Sequence, residues 1–286
     1  MLILMLLLPA LSLDPCRAEE SKKGSEEAAE DEEPGIFPAK SLFQPLIADP
    51  RWPHFSFSYH RFLGNEKLRN VAATSFGETF LFYKDYAPFH SNWDIGMQGA
   101  VFAIFNLDAD SMDLINADYW VCIPVSYRKD ELSALLRIFH QSSHLGDEYL
   151  IGNAVERINL SYESVSLHVS YDFADWLRVY AGGIKMLSRE PADLEPWSTQ
   201  YGIELRSSRS FVRGRLKPLA GADFKNWEEN GWNTDISIRI GVQLQGKKES
   251  ARKIHFMLEY FNGYSSNGQF YKDPVEYIGL GTHFYF

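Results

Sequence analysis

His140 and Ser142 carry the most suggestive chemistry in this chain. A neutral imidazole can take the proton of a serine hydroxyl and make it a nucleophile. On an extended strand, residues two apart share a face and sit roughly 7 Å from each other. The base then needs a third group to fix its tautomer and ring orientation. Glu156 and Asn159 are the candidates, because a hairpin loop centred near 148–150 brings residues 156–160 opposite His140. Parity separates the two. If Ile158, Leu160 and Tyr162 point the same way as His140, so does Glu156, with a bulge near Glu163-Ser164. If Val165, Leu167, Val169 and Tyr171 set the parity without a bulge, Asn159 points that way instead. Both readings stay open at the level of sequence. An ester hydrolase also needs a partner for its oxyanion. A loop amide or a calcium ion could supply it, and Asp147 and Glu148 offer hard oxygen ligands. His140 and His144 have helical spacing in a strand-and-loop neighbourhood and lack the further ligands that zinc requires.

The elements that must position these residues read as long strands. Trp93, Ile95, Met97, Gly99, Val101, Ala103 and Phe105 alternate with Asp94, Gly96, Gln98 and Ala100. Tyr119, Val121, Ile123 and Val125 alternate with Asp118, Trp120, Cys122 and Ser126. The same rhythm runs through Ile236, Ile238, Ile240 and Val242 against Asp235, Ser237, Arg239 and Gln243, and through Ile254, Phe256, Leu258 and Tyr260 against His255 and Glu259. Period-2 alternation is the mark of a strand with two unlike faces. The runs are as long as the ~9–11 residues that a strand needs to cross a bilayer, whereas ordinary strands have about five or six. The mean hydropathy, -0.26, hides this pattern. One apolar face in hydrocarbon and one polar face in a lumen require a closed barrel, since an open edge would strand backbone groups in lipid.

The fold expected is therefore an all-β transmembrane antiparallel barrel of about twelve strands. Arg128 to Glu131 and Asp172 to Asp175 read as short periplasmic turns; longer links at 143–153, 187–198 and 264–274 read as extracellular. Counting up from the turn near 130 puts His140 and Ser142 at the outer membrane–water interface and on the lipid-facing parity of Leu132, Ala134, Leu136 and Ile138. Trp93, Tyr119, Trp176, Trp197, Trp227 and Trp232 are candidates for the aromatic girdles of such barrels. Residues 1–18 read as a signal peptide, with an apolar run to Leu13 and Cys16-Arg17-Ala18 at the cleavage site. Residues 19–36 form an acidic tail, with eight carboxylates against Lys22 and Lys23, a composition that stays disordered. Residues 37–286 make the barrel, including a short periplasmic N-terminal segment. Past residue 18 only Cys122 remains, so there is no disulfide framework. The formal charge of -10 argues against a nucleic-acid partner.

The run His140-Gln141-Ser142-Ser143, with an orienting polar residue on the next strand, resembles outer-membrane phospholipase A. That family is a twelve-stranded barrel with an outward His-x-Ser and an Asn, which Asn159 would match. The version with Glu156 is similar to the lipid A deacylase, which carries His, Ser and Glu on its outer face. Phe261-Asn262-Gly263-Tyr264-Ser265 before the closing strand is also similar to the phospholipase. The phospholipase follows its His-x-Ser with Asn-Gly, where this chain has Ser143-His144. Over nearly all of 37–286, Leu42-Phe43-Gln44-Pro45-Leu46, His140 to Tyr149 and Asn262 to Tyr271 are similar to a domain-of-unknown-function family of Gram-negative bacteria and chlamydia-like organisms. These resemblances imply an outer-membrane location with outer-membrane lipids as partners. The alternating last strand, ending at Phe286, resembles the signal read by the barrel assembly machinery, and some barrel enzymes of this kind work as homodimers. Two functions follow. One is a serine-type lipid-ester hydrolase with Ser142 as nucleophile, His140 as base and Glu156 or Asn159 as orienter. The other is a non-enzymatic structural or small-channel barrel, its lumen packed by inward Arg137, Arg178, Arg239, His255 and Glu259. A surface adhesin would need longer loops.

Overall fold

The computed structural model describes residues 34–64, 68–153, 157–212, 214–245 and 253–286. The expected signal peptide and most of the acidic tail lie outside them. Twelve antiparallel strands close into a barrel: β2 (Phe55–Phe62), β3 (Asn70–Ala87), β4 (Ser91–Asn106), β5 (Leu114–Lys129), β6 (Leu132–Leu145), β7 (Leu160–Ala174), β8 (Leu177–Glu190), β9 (Trp197–Arg206), β10 (Leu216–Trp227), β11 (Thr234–Gln245), β12 (Lys253–Tyr264) and β13 (Pro274–Tyr285). Each pairs with its neighbours in sequence, and β13 pairs with β2 to close the ring. A short β1 (Gly35–Ile36) pairs with Tyr83 and Lys84, where β3 runs on past the end of β2. Those two residues, grouped with the tail by composition, are ordered because the overhang offers them free backbone partners.

Alternation decides which side chains go where. Phe256 and Leu258 on β12, Ile240 on β11 and Leu280 on β13 point outward and are exposed, as are Val121, Ile123, Ile138 and Leu167. The inward set is polar and buried: Asp94, Asn116, Asp118, His168, Arg178, Glu204 and His283. This is a soluble protein's distribution turned inside out. So broad an exposed apolar surface has to be covered, and a belt around a closed barrel is what hydrocarbon covers. Tyr119, Trp176, Trp197 and Trp232 are exposed, as girdle residues are, whereas Trp227 turns partly into the interior.

The segment expected beneath the barrel, between residues 38 and 54, folds up into its lumen instead. Leu42, Phe43, Leu46, Ile47, Ala48 and Trp52 are buried there. The reason is visible in the wall. Inward carboxylates and guanidinium groups need partners away from water, and the segment's backbone supplies them. Leu42 N donates to Asp94 Oδ2 at 2.6 Å and Ile47 N to Glu204 Oε1 at 2.6 Å. Arg178 Nη1 donates to Pro45 O at 3.3 Å, and Arg239 Nη1 to Ile47 O at 3.0 Å. Asp49 pairs with Lys225 at 2.6 Å, and Arg51 with Asp118 at 2.8 Å. Phe43 lies under the Arg178 guanidinium at 4.7 Å.

A second network seals the seam. His54 Nε2 and His283 Nδ1 are 2.7 Å apart. His283 Nε2 reaches Glu259 Oε1 at 2.6 Å, His60 Nε2 reaches Glu259 Oε2 at 2.7 Å, and Arg239 Nε lies 3.3 Å from the same carboxylate. Thus the plug, the first barrel strand and the last two are tied to one buried Glu259.

Two outcomes follow for the folded barrel in liposomes. Leu258→Arg, in the middle of the outward face, should lower unfolding free energy by about 2–4 kcal/mol, the cost of an arginine near the bilayer midplane; denaturant titration measures it. Glu259→Ala should cost about 3–5 kcal/mol in the same titration, because Arg239 loses its buried counter-charge and both histidines lose their acceptor.

Candidate functional site

The wall between β5, β6 and β7 carries a polar island at the upper margin of the apolar belt. Strand β6 alternates without interruption: Ser133, Leu135, Arg137, Phe139, Gln141 and Ser143 are buried, while Leu136 and Ile138 are exposed. His140 and Ser142 fall on the outward parity with them. Below the island lie Ile138 and Val165; Val121 sits beside His140 and Tyr119 beside Ser142.

The register places Glu163 opposite His140 and Ser161 opposite Ser142. His140 Nδ1 donates to Glu163 Oε1 at 2.9 Å, with the two side chains 40% and 50% exposed. A proton on Nδ1 leaves the Nε2 lone pair of the neutral ring free to accept one. Glu163 is itself held by the Ser188 hydroxyl, its partner across β8. One pleat above Ser142, Arg157 Nη2 donates to His144 Nδ1 at 3.0 Å, and His144 packs edge-on against Tyr119. The outer face of this wall therefore holds a hydroxyl, an imidazole with its carboxylate and a guanidinium in one short stretch.

The carboxylate beside His140 is not one of the two sequence candidates. Glu156 lies outside the described residues. Asn159 is exposed and precedes β7, beyond the paired residues, four positions up the chain from Glu163. Parity explains the difference. Leu160 and Tyr162 are buried in the lumen, so the lower set of Val165, Leu167 and Val169 governs the outward face. Extended upward, that set reaches Glu163. A register shift does occur at Glu163/Ser164, but in the pairing with β8, and the alternation of β7 itself is regular. The misplaced centre of the hairpin comes from its connection, which contains a helix, α1 (Asp147–Asn153). Alternation traced from Tyr171 upward puts Glu163 on the outward face, and the register of β6 with β7 is what sets it opposite His140.

Asp147 and Glu148 form the first turn of α1 and are exposed. Calcium takes six to eight oxygen ligands, and among the described residues no group of three or more His, Cys, Asp or Glu side chains is placed to hold a metal.

Behind the island the wall is rigid. The connection between β12 and β13 folds inward: Gly268 N donates to Asp118 Oδ2 and Gln269 N to Asn116 Oδ1. Gln269 Nε2 reaches the carbonyls of Ser143 and Ile158, at 2.9 and 2.8 Å. A Cβ at Gly268 would meet the Ser143 side chain at 2.7 Å, so glycine permits this approach. The strand carrying Ser142 is thereby braced from inside the lumen.

Comparison with solved structures gives outer-membrane barrels. Outer-membrane phospholipase A from Escherichia coli superposes with a TM-score of 0.54 at 10% identity, covering 86% of this chain and 94% of that one. An active-site asparagine-to-alanine variant of the same enzyme gives 0.56 at 11% identity over 86% and 94%. The Salmonella typhi phospholipase, solved as a dimer with bound calcium, gives 0.53 at 11% identity over 82% and 93%. At such identities the likeness is one of fold, and it identifies the barrel as the outer-membrane type. No curated protein sequence matches the chain. The family model described as a protein of unknown function, DUF1207, matches residues 21–286. With that match spanning plug and barrel together, the chain belongs to the DUF1207 family.

Proposed function

We propose that this outer-membrane barrel is a serine-type hydrolase of lipid esters, with Ser142 as nucleophile, His140 as general base and Glu163 as the group that orients the base. The observation that carries the reading is the 2.9 Å hydrogen bond from His140 Nδ1 to Glu163 on the lipid-facing side, next to Ser142 on the same strand face. In a soluble protein an exposed ion pair of this kind contributes little. At the margin of a hydrocarbon belt, side chains are normally apolar or aromatic, so a polar trio there is an exception that calls for a use.

In the reaction, Nε2 of His140 takes the Ser142 proton as Oγ attacks the ester carbonyl. The carbonyl π electrons move onto oxygen. Collapse of the tetrahedral intermediate expels the alcohol, which leaves with the proton from His140, and water then releases the acyl group by the same sequence. Glu163 keeps the imidazole in the right tautomer and stabilises its protonated form. Arg157, next to His144 above Ser142, supplies positive charge near the developing oxyanion or a lipid phosphate. Asn159 remains a lesser candidate beside Arg157, and Glu156 an alternative in the same connection. Membrane delivery would run through the terminal strand ending at Phe286, read by the barrel assembly machinery. A homodimer fits the reading, as the Salmonella phospholipase is solved as one. A structural role is the second reading, and it makes His140, Ser142 and Glu163 dispensable.

The test is fatty-acid release from phospholipid and lipid A in mixed micelles, with and without calcium, by folded protein. Ser142→Ala should reduce release by about 10³-fold or more, and Glu163→Gln by on the order of 10²-fold, mainly in kcat. Activity that survives Ser142→Ala, or wild-type protein inert on all of these lipids, would reject the mechanism. Loss in Asn159→Ala with Glu163→Gln fully active would move the orienting role to Asn159.

A further inference from the structure

Above the plug the lumen holds a cavity whose mouth opens among the connections 191–196, 228–233 and 265–273. It lies inside the barrel, separated from Ser142 by the strand itself, since Gln141 and Ser143 point inward. One side is apolar, with Trp120, Phe139, Ile184 and Met186 belonging to a single buried cluster against which Trp227 packs.

Most charged groups around this cavity have direct partners. Lys225 has Asp49, Arg51 has Asp118, and the rim residue Glu229 has Lys272 at 2.8 Å. Asp223 accepts from Tyr180 and Gln200, and Asp235 accepts from the Tyr264 amide. Arg137 is 5% exposed. Its partners are the Ser166 hydroxyl at 3.2 Å and the faces of Trp52 and Trp120, at 5.3 and 5.7 Å. Among the described residues it forms no ion pair. Burying a guanidinium is costly; the carboxylate that acts on it through space, Asp49, is itself paired with Lys225. The planar fork of the guanidinium is shaped to take a carboxylate through two parallel hydrogen bonds. Arg137 stands at the foot of the apolar wall, one inward position below Phe139 on β6.

We infer that this cavity binds a single-chain carboxylate amphiphile, such as a fatty acid, with its carboxylate on Arg137 and its apolar body against Trp120, Phe139, Ile184 and Met186. The plug forms the floor through Asp49 and Arg51, and entry is from the outer mouth. The site is independent of the hydrolase reading: it uses the inner face of the wall, and neither His140 nor Ser142 takes part.

The experiment uses the full chain folded in phospholipid nanodiscs, with dodecanoate titrated calorimetrically against empty nanodiscs to subtract partitioning. Wild type should show one saturable site. Arg137→Met, which keeps volume and removes the charge, should weaken it at least tenfold. Ile184→Trp, which fills the apolar side and leaves Arg137 in place, should abolish it. Dodecanol should bind at least tenfold more weakly than dodecanoate, and affinity should rise from acetate through octanoate. Retained heat-modifiable gel mobility confirms that each variant is folded, and if Arg137→Met is not, Ile184→Trp decides. No saturable binding by wild type, equal binding by either variant, dodecanol binding as tightly as dodecanoate, or acetate binding as well as dodecanoate would each overturn the assignment.

Discussion

Hydrocarbon can neither give nor accept a hydrogen bond, and every part of this architecture answers to that fact. Backbone groups at membrane depth must find partners within the protein, so the strands pair edge to edge until β13 meets β2 and no edge remains. Once the ring is closed, side-chain period and pleat do the sorting. Odd positions of β7, such as Val165 and Leu167, meet lipid, while even positions, such as Ser166 and His168, meet the interior. The interior inherits a large polar load, and it too is short of water. The plug resolves that second shortage. Its peptide N–H and C=O groups, left free by the absence of regular structure, are spent on Asp94, Glu204, Arg178 and Arg239.

A filled lumen changes what this barrel can be. Phe43, Leu46 and Trp52 are packed with Leu135 and Tyr180 across the lower interior. The chemistry is therefore divided by the wall. Outside, His140, Ser142 and Glu163 break an apolar belt; inside, Arg137 turns a guanidinium towards an apolar wall. Arg137 and His140 both lie on β6, three residues apart, and opposite parity sends them to opposite sides.

The sequence made the barrel plain because a period of two needs no tertiary information to recognise. Strand number, the inward set and the shared face of His140 and Ser142 all follow from it. The partner of His140 did not, since register depends on how many residues the connection consumes, and α1 occupies seven of them. The plug was also missed. Leu42, Phe43, Leu46, Ile47 and Ala48 form a short apolar run broken by Pro45, and such a run reads as an external segment when its polar partners lie 52 to 192 positions away. The cavity depended on the same long-range fact, because its floor is the plug.

Those long separations carry a further meaning. Ile47 meets Glu204 across 157 positions and Arg239 across 192, and His54 meets His283 across 229. The earliest barrel-bound segment to be synthesised has its last partner on the final strand. A chain halted before β13 would lack the strand that closes the ring onto β2, and His54 would lack its partner His283. Seating the plug and fastening the seam are thus coupled, because both wait on contacts between residues far apart in the chain. For such a fold, the ring and its filling are completed by the same contact, and His54, the residue just before the first barrel strand, is where the plug and the closing strand are joined.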